Sequence, residues 1–199
     1  VYYNSADKRL EWRKPWSLDE TVFDVVITDA INTYSMWQLP NDGTLRYDWG
    51  DGTSNVTKDF TETNAYKEVK VSRTWTVPGM YTVRIIPTAG NKLSMHNVID
   101  LSAIYRIRQL SRRYATRFLF NGATNLEILD PGCKIPEGVT DCSSLFQRCS
   151  KLRHLNDDFT VPEGVTSMFA FLYYQTVIER LPDSFQIPST VKNLSYFFR

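Results

Sequence analysis

The chain holds only two histidines, His96 and His154, and three cysteines, Cys133, Cys142 and Cys149. A cysteine-based zinc site needs short C-x₂₋₄-C knuckles. The cysteine spacings here are nine and seven, and neither histidine lies near a cysteine pair. An odd, small number of cysteines in 199 residues also argues against a disulfide framework. The three therefore read as small buried apolar side chains. A Cys142–Cys149 disulfide stays open if the protein is exported. Nucleophile and phosphate motifs are missing: there is no G-x-S-x-G elbow, no H-E-x-x-H, no P-loop and no G-x-G-x-x-G. Ser189 to Lys192 fits S-x-x-K, but so does Ser5 to Lys8, which shows how little that pattern demands. Asp157 and Asp158 form an acid pair at a predicted turn. The expectation is a protein that is not an enzyme and carries no cofactor or metal.

Two groups of residues suit binding instead. Arg106, Arg108, Arg112, Arg113 and Arg117 fall within twelve residues that contain no acid. They form either a polyanion site, for phosphate or an acidic glycan, or a solvated face. The second reading fits the helical spacing of Ile104, Ile107 and Leu110 beside them. Trp12, Trp16 and Trp37 are candidates to stack on a sugar ring or a partner surface, against a plain role in packing. Charge excludes other classes. With 23 Lys and Arg against 22 Asp and Glu the net is +1, so neither nucleic acid nor an anionic membrane surface is expected as a partner. No apolar run approaches the roughly 20 residues of a membrane helix. Val1-Tyr2-Tyr3-Asn4-Ser5 carries no signal pattern and reads as the start of a mature product or a fragment.

The elements that position these residues show first as a repeat. Pro136-Glu137-Gly138-Val139-Thr140 recurs verbatim 26 residues later as Pro162 to Thr166, and again in part as Pro188-Ser189-Thr190-Val191. The same step carries Leu119-Phe120 to Leu145-Phe146, Phe171-Leu172 and Phe197-Phe198. It also places Cys133 with Phe159 and Phe185, and Cys142 with Met168 and Leu194. Each unit reads as an L-x-x-L pair, a short β-prone stretch closed by proline, a glycine turn and a short helix. In Asp141 to Cys149 the helix face would be Leu145, Phe146 and Cys149. One such unit cannot bury its apolar face alone, whereas stacked units share a core.

On the phrase Leu145-Phe146-x-x-Cys149-Ser150-x-Leu152 and the Phe, Pro and Val columns, Leu119 to Arg199 resembles the BspA-like leucine-rich repeats of bacterial surface proteins. That resemblance implies a curved solenoid displayed outside the cell and used for adhesion.

The first half has a different grammar. Val22 to Ile27, Thr44 to Trp49 and Met80 to Ile86 are rich in β-branched and aromatic residues and broken by turn signals. Such runs predict an antiparallel sandwich. Tyr47-Asp48-Trp49-Gly50-Asp51-Gly52-Thr53, with Trp75-Thr76-Val77-Pro78-Gly79-Met80-Tyr81-Thr82-Val83, resembles the polycystic-kidney-disease (PKD) family of immunoglobulin-like domains. Asp48 and Asp51 read there as Asx-turn residues rather than a cation site.

The expected fold is therefore two domains, an all-β immunoglobulin-like sandwich followed by a short α/β leucine-rich-repeat solenoid of 26-residue repeats. Residues 1–90 form the PKD-like sandwich with an N-terminal extension, 91–118 a linker and solenoid cap, and 119–199 three BspA-like repeats. The expected function is a non-enzymatic adhesion, binding or structural protein of a bacterial surface or phage virion. The alternative is a carbohydrate-binding accessory module of a secreted enzyme. A protein partner or self-association is expected and a glycan is possible as ligand. At the far end, Phe197 and Phe198 open a fourth repeat unit, and either dock onto a partner or tuck under the third unit.

Overall fold

Val22, Phe23, Val25, Val26 and Ile27 give β3 (Thr21–Ile27) the β-branched and aromatic content that favours a strand buried on both faces. Ten further strands accompany it in the computed structural model, which describes residues 2–4, 9–11, 16–39, 43–53, 56–60, 69–90, 94–111, 119–175 and 177–198. They are β1 (Tyr2–Asn4), β2 (Arg9–Glu11), β4 (Thr33–Leu39), β5 (Gly43–Asp48), β6 (Val56–Phe60) and β7 (Val69–Thr74). The others are β8 (Gly79–Gly90), β9 (Ser94–Asp100), β10 (Ile104–Gln109) and β11 (Ile128–Leu129). A six-stranded sheet has the order β11-β10-β3-β8-β5-β6, and a three-stranded sheet the order β7-β4-β9. The strands β1 and β2 pair with each other. Among the described residues no helix is long and apolar enough to cross a membrane.

Aromatic rings join the two larger sheets. Phe23 of β3 stacks on Tyr34 of β4 at 5.7 Å, and Tyr34 meets Trp49 at 5.8 Å. Trp49 in turn stacks on Tyr47 at 5.1 Å and lies edge-on to Trp75 at 6.0 Å. The turn after β5 is closed by its own acids: Asp48 accepts from the Gly50 amide and Asp51 from the Thr53 amide, both at 3.1 Å. Arg73 also pairs with Asp51. Partial burial pushes the Asp51 carboxyl up, but the bonds from Thr53 and Arg73 outweigh it and hold the carboxyl below its usual range.

Gly50 and Gly52 both sit at positive φ, yet their surroundings differ. A Cβ on Gly50 would come within 2.5 Å of the Thr82 carbonyl oxygen, whereas one on Gly52 meets nothing within 4 Å. Gly50→Ala therefore adds a backbone clash to the left-handed strain, and we expect a loss of about 3 kcal/mol. Gly52→Ala should lose only about 1 kcal/mol, from strain alone. Urea unfolding of the two variants checks the difference.

The segment expected to link the halves belongs to the two larger sheets. β9 pairs with β4, and β10 pairs antiparallel with β3. Ile104, Ile107 and Leu110 have helical spacing but belong to β10 and the residue after it. Register shifts between Ile104 and Arg106, and between Ile107 and Gln109, insert an extra residue each time. Such bulges stretch the inward period from two residues to three. β10 then pairs in parallel with β11, the first strand of the repeat region. Phe23 also meets Phe120 edge-on at 6.1 Å, so one apolar core runs from the sheets into the repeats.

The α/β solenoid expectation is overturned: the described residues are all-β with no helix, and the sheets are open. The predicted helix at Asp141 to Cys149 is a series of tight turns. Amides of Leu145, Gln147 and Cys149 donate to the carbonyls of Cys142, Ser144 and Phe146, three residues back rather than four. Amides of Cys142, Ser144, Phe146 and Arg148 instead leave the unit and donate to Ser167, Phe169, Phe171 and Tyr173 of the next. This alternation needs left-handed residues, which an α-helix forbids. They are Ser144 (φ 55), Ala170 (φ 52) and Tyr196 (φ 58) in one column, and Gly122 (φ 82), Arg148 (φ 60) and Tyr174 (φ 58) in another. Successive units are thus flat tiers joined by parallel backbone bonds, with isolated parallel bridges at Asp141–Ser167 and Ser167–Asn193.

Candidate functional site

The described members of the arginine cluster face the protein's own acids. Arg108 is a fork on Asp24, its Nε donating to Oδ1 at 2.8 Å and Oδ2 at 2.9 Å. Asp24 is fully buried and also accepts from the Thr82 hydroxyl at 2.8 Å. Arg106 pairs with Asp130, whose other oxygen lies 3.7 Å from Arg108. Trp16 covers this group, its ring centroid 5.9 Å from the Arg108 guanidinium carbon. These two guanidinium groups therefore have little left to offer an outside anion. Arg112, Arg113, Arg117 and Trp12 lie outside the described residues; Trp37 lies in β4, with its side chain outside them.

The far end divides its two phenylalanines. Phe197 is buried, stacked on Phe171 at 5.6 Å and set against Phe185 at 6.1 Å. Phe198 is 53% exposed. One ring finishes the core and the other lies against it at 4.6 Å, partly exposed.

Beside Phe198's tier lies an aromatic cluster that sequence reasoning missed. Tyr196 meets Phe169 at 5.6 Å and Tyr173 at 5.7 Å, and Tyr173 touches Tyr174 at 4.2 Å. The Arg148 guanidinium lies 5.5 Å from the Tyr174 ring. Phe169, Tyr174 and Tyr196 are each more than a third exposed. The backbone explains their direction, because Tyr174 and Tyr196 occupy left-handed positions at the corners of the turns. A signal was present: Phe169 stands where the neighbouring units have Ser143 and Ser195, and Tyr173 where the unit before has Gln147. Aromatic residues in polar columns mark a surface with a use.

A cleft of ≈ 750 Å³ opens on the repeat region, with His154, Asp157, Asp158, Glu179 and Arg180 among its lining. Asp158 is occupied by the Gly132 amide at 2.8 Å. Among the described residues no group of His, Cys, Asp and Glu is arranged to hold a metal ion. The three cysteines are free thiols buried in the core. Burial pushes the Cys133 and Cys149 thiols up, so neither is a ready nucleophile. What the arrangement offers chemically is contact area: exposed rings with a cation over one of them.

No protein-family model, no curated protein and no solved structure matches this chain.

Proposed function

We propose that this is a non-enzymatic binding or structural protein, displayed on a bacterial surface or phage virion, that engages a protein partner through the aromatic side of its repeats. The observation that carries the reading is the exposed cluster of Phe169, Tyr173, Tyr174 and Tyr196 with Arg148 beside it. Tyrosine with arginine is the pairing enriched at interface hot spots, since rigid rings bury much area at little entropic cost. The extracellular setting is supported by resemblance to surface-displayed families alone.

A second reading has the same rings holding a glycan, because flat exposed tyrosines also suit the apolar face of a sugar. The double variant Tyr174→Ser/Tyr196→Ser tests both. Both rings are exposed, so its melting temperature should stay within about 2 °C of the parent. Light scattering and a glycan array then compare variant with parent. Association with itself or with envelope or virion proteins should be lost in the variant, with the array blank for both. Array binding by the parent that the variant loses favours the glycan. Unchanged association in the variant sinks the surface altogether.

A further inference from the structure

Arg148 is exposed and stands in the second repeat unit, with Gly122 before it and Tyr174 after it in the same column. Like Tyr174 it occupies a left-handed corner, at φ 60. Its guanidinium carbon lies over the Tyr174 ring, 5.5 Å from the centroid. Elsewhere in the repeats cations meet acids: Lys151 is 3.9 Å from Glu127, and Arg180 is 3.9 Å from Asp157. Among the described residues Arg148 has no such partner. Asp141, the nearest acid in sequence, accepts from the Ser143 amide at 2.8 Å. The aromatic surface therefore presents one positive charge that the protein itself does not balance.

Covering that surface constrains whatever covers it. In water the guanidinium is hydrated and needs no acid. Once a partner excludes water, an unpaired charge beside apolar rings becomes costly, whereas a carboxylate set against it in the same low-dielectric surroundings is held strongly. Contact with a ring takes up a face of the guanidinium and leaves its N–H edge for the forked bond that a carboxylate makes. One cation also matches one negative charge, so a single carboxylate suits Arg148 better than a phosphate dianion or a run of acids.

We infer that the aromatic surface takes a segment of another protein carrying one Asp or Glu among apolar residues, with the carboxylate forked on Arg148 and the apolar side chains on Phe169 and Tyr174. The inference deepens the protein-partner reading above and rests on it. Charge complementarity selects this occupant, because the rings alone accept any apolar segment and Arg148 rejects those that bring a cation to its place. The rings then supply most of the contact area, and Arg148 sets which partner is accepted.

The probe is a random heptapeptide library displayed on phage and panned against the full chain, with Tyr174→Ser/Tyr196→Ser as the counter-screen. Peptides selected by the parent and not by the double variant should carry an Asp or Glu at one recurring position between apolar residues. Panning on Arg148→Glu should turn that position to Lys or Arg. Fluorescence anisotropy of the leading peptide should show about a tenfold loss with Arg148→Gln, the effect of one charge-assisted hydrogen bond. Replacing the peptide's acid by its amide should cost the same, and both changes together little more, because they remove one shared interaction. Arg148 is exposed, so both of its variants should melt within about 2 °C of the parent. Ring-dependent peptides without a recurring acid, or with the same acid selected by Arg148→Glu, overturn the inference and leave the protein-partner reading standing. A library that yields no ring-dependent peptide overturns both. Array binding of glycans bearing uronic or sialic acid, lost in Arg148→Gln, gives the carboxylate to a sugar and overturns the inference. A concentration-dependent mass that Arg148→Glu abolishes gives it to a second copy and overturns it too.

Discussion

Leu155→Asp is expected to remove more stability than any other single change in the repeats, about 5 kcal/mol, against about 3 kcal/mol for Leu155→Ala. Leu155 is 1% exposed and belongs to the continuous apolar core, in the column of Leu129 and Leu181. Truncation to alanine forfeits transfer energy and leaves a cavity. A carboxylate adds the cost of placing a charge in that apolar core. The group will answer by holding its proton, so its folded-state pKa lies above the unfolded value. Below the unfolded pKa, near 4, both states are protonated and the two variants should differ little. As pH rises past that value the unfolded state ionises freely and the folded state does not, so the extra loss grows. Urea unfolding at about pH 3.5 and pH 7 checks both the size and the sign. Equal stability of the two variants at pH 7 would mean that water reaches Leu155, and the tiers would then not be dry.

The period of 26 was legible because burial obeys it. Cys133 and Phe159, Leu145 and Phe171, and Cys142 and Met168 share columns, and each of these side chains is buried. The conformation between the columns was not legible. Leu145, Phe146 and Cys149 lie on one side at i, i+1 and i+4 whether the chain makes a helix or two left-handed corners. Propensity gives no warning at Ser144, Arg148 or Tyr174, which take positive φ only because the next tier holds their neighbours. Gly122, first in the column of Arg148 and Tyr174, was the clue that a left-handed residue was required. β10 was hidden by the same kind of ambiguity, since two bulges give a strand the apolar spacing of a helix. The arginine cluster misled because a gap in acidic residues along the chain says nothing of Asp24 and Asp130, which β3 and the first repeat bring to it across the sheet.

That pairing carries the second large effect. Arg108→Leu is expected to destabilise the protein by about 3–5 kcal/mol, because it leaves the buried Asp24 carboxylate with only the Thr82 hydroxyl as a described side-chain partner. Asp24→Val should cost less. Arg108 then keeps Asp130 at 3.7 Å and the Trp16 face, and its charge is not stranded. The double variant Asp24→Val/Arg108→Leu removes both charges at once and fills the space with apolar groups. It should recover to within about 1 kcal/mol of the parent, or exceed it, since a buried pair returns little more than its own desolvation cost. The coupling energy of the cycle is then at least about 2 kcal/mol, large for a single pair and measurable by urea unfolding at constant m-value. A double variant as unstable as Arg108→Leu would place the energy in the packing of the guanidinium on Trp16 rather than in the ion pair. A pair this strong also bears on binding. An outside phosphate would have to draw Arg108 off Asp24 and leave a buried carboxylate behind, so the cost of that exchange argues against a polyanion site at Arg108, whatever the rest of the arginine run does.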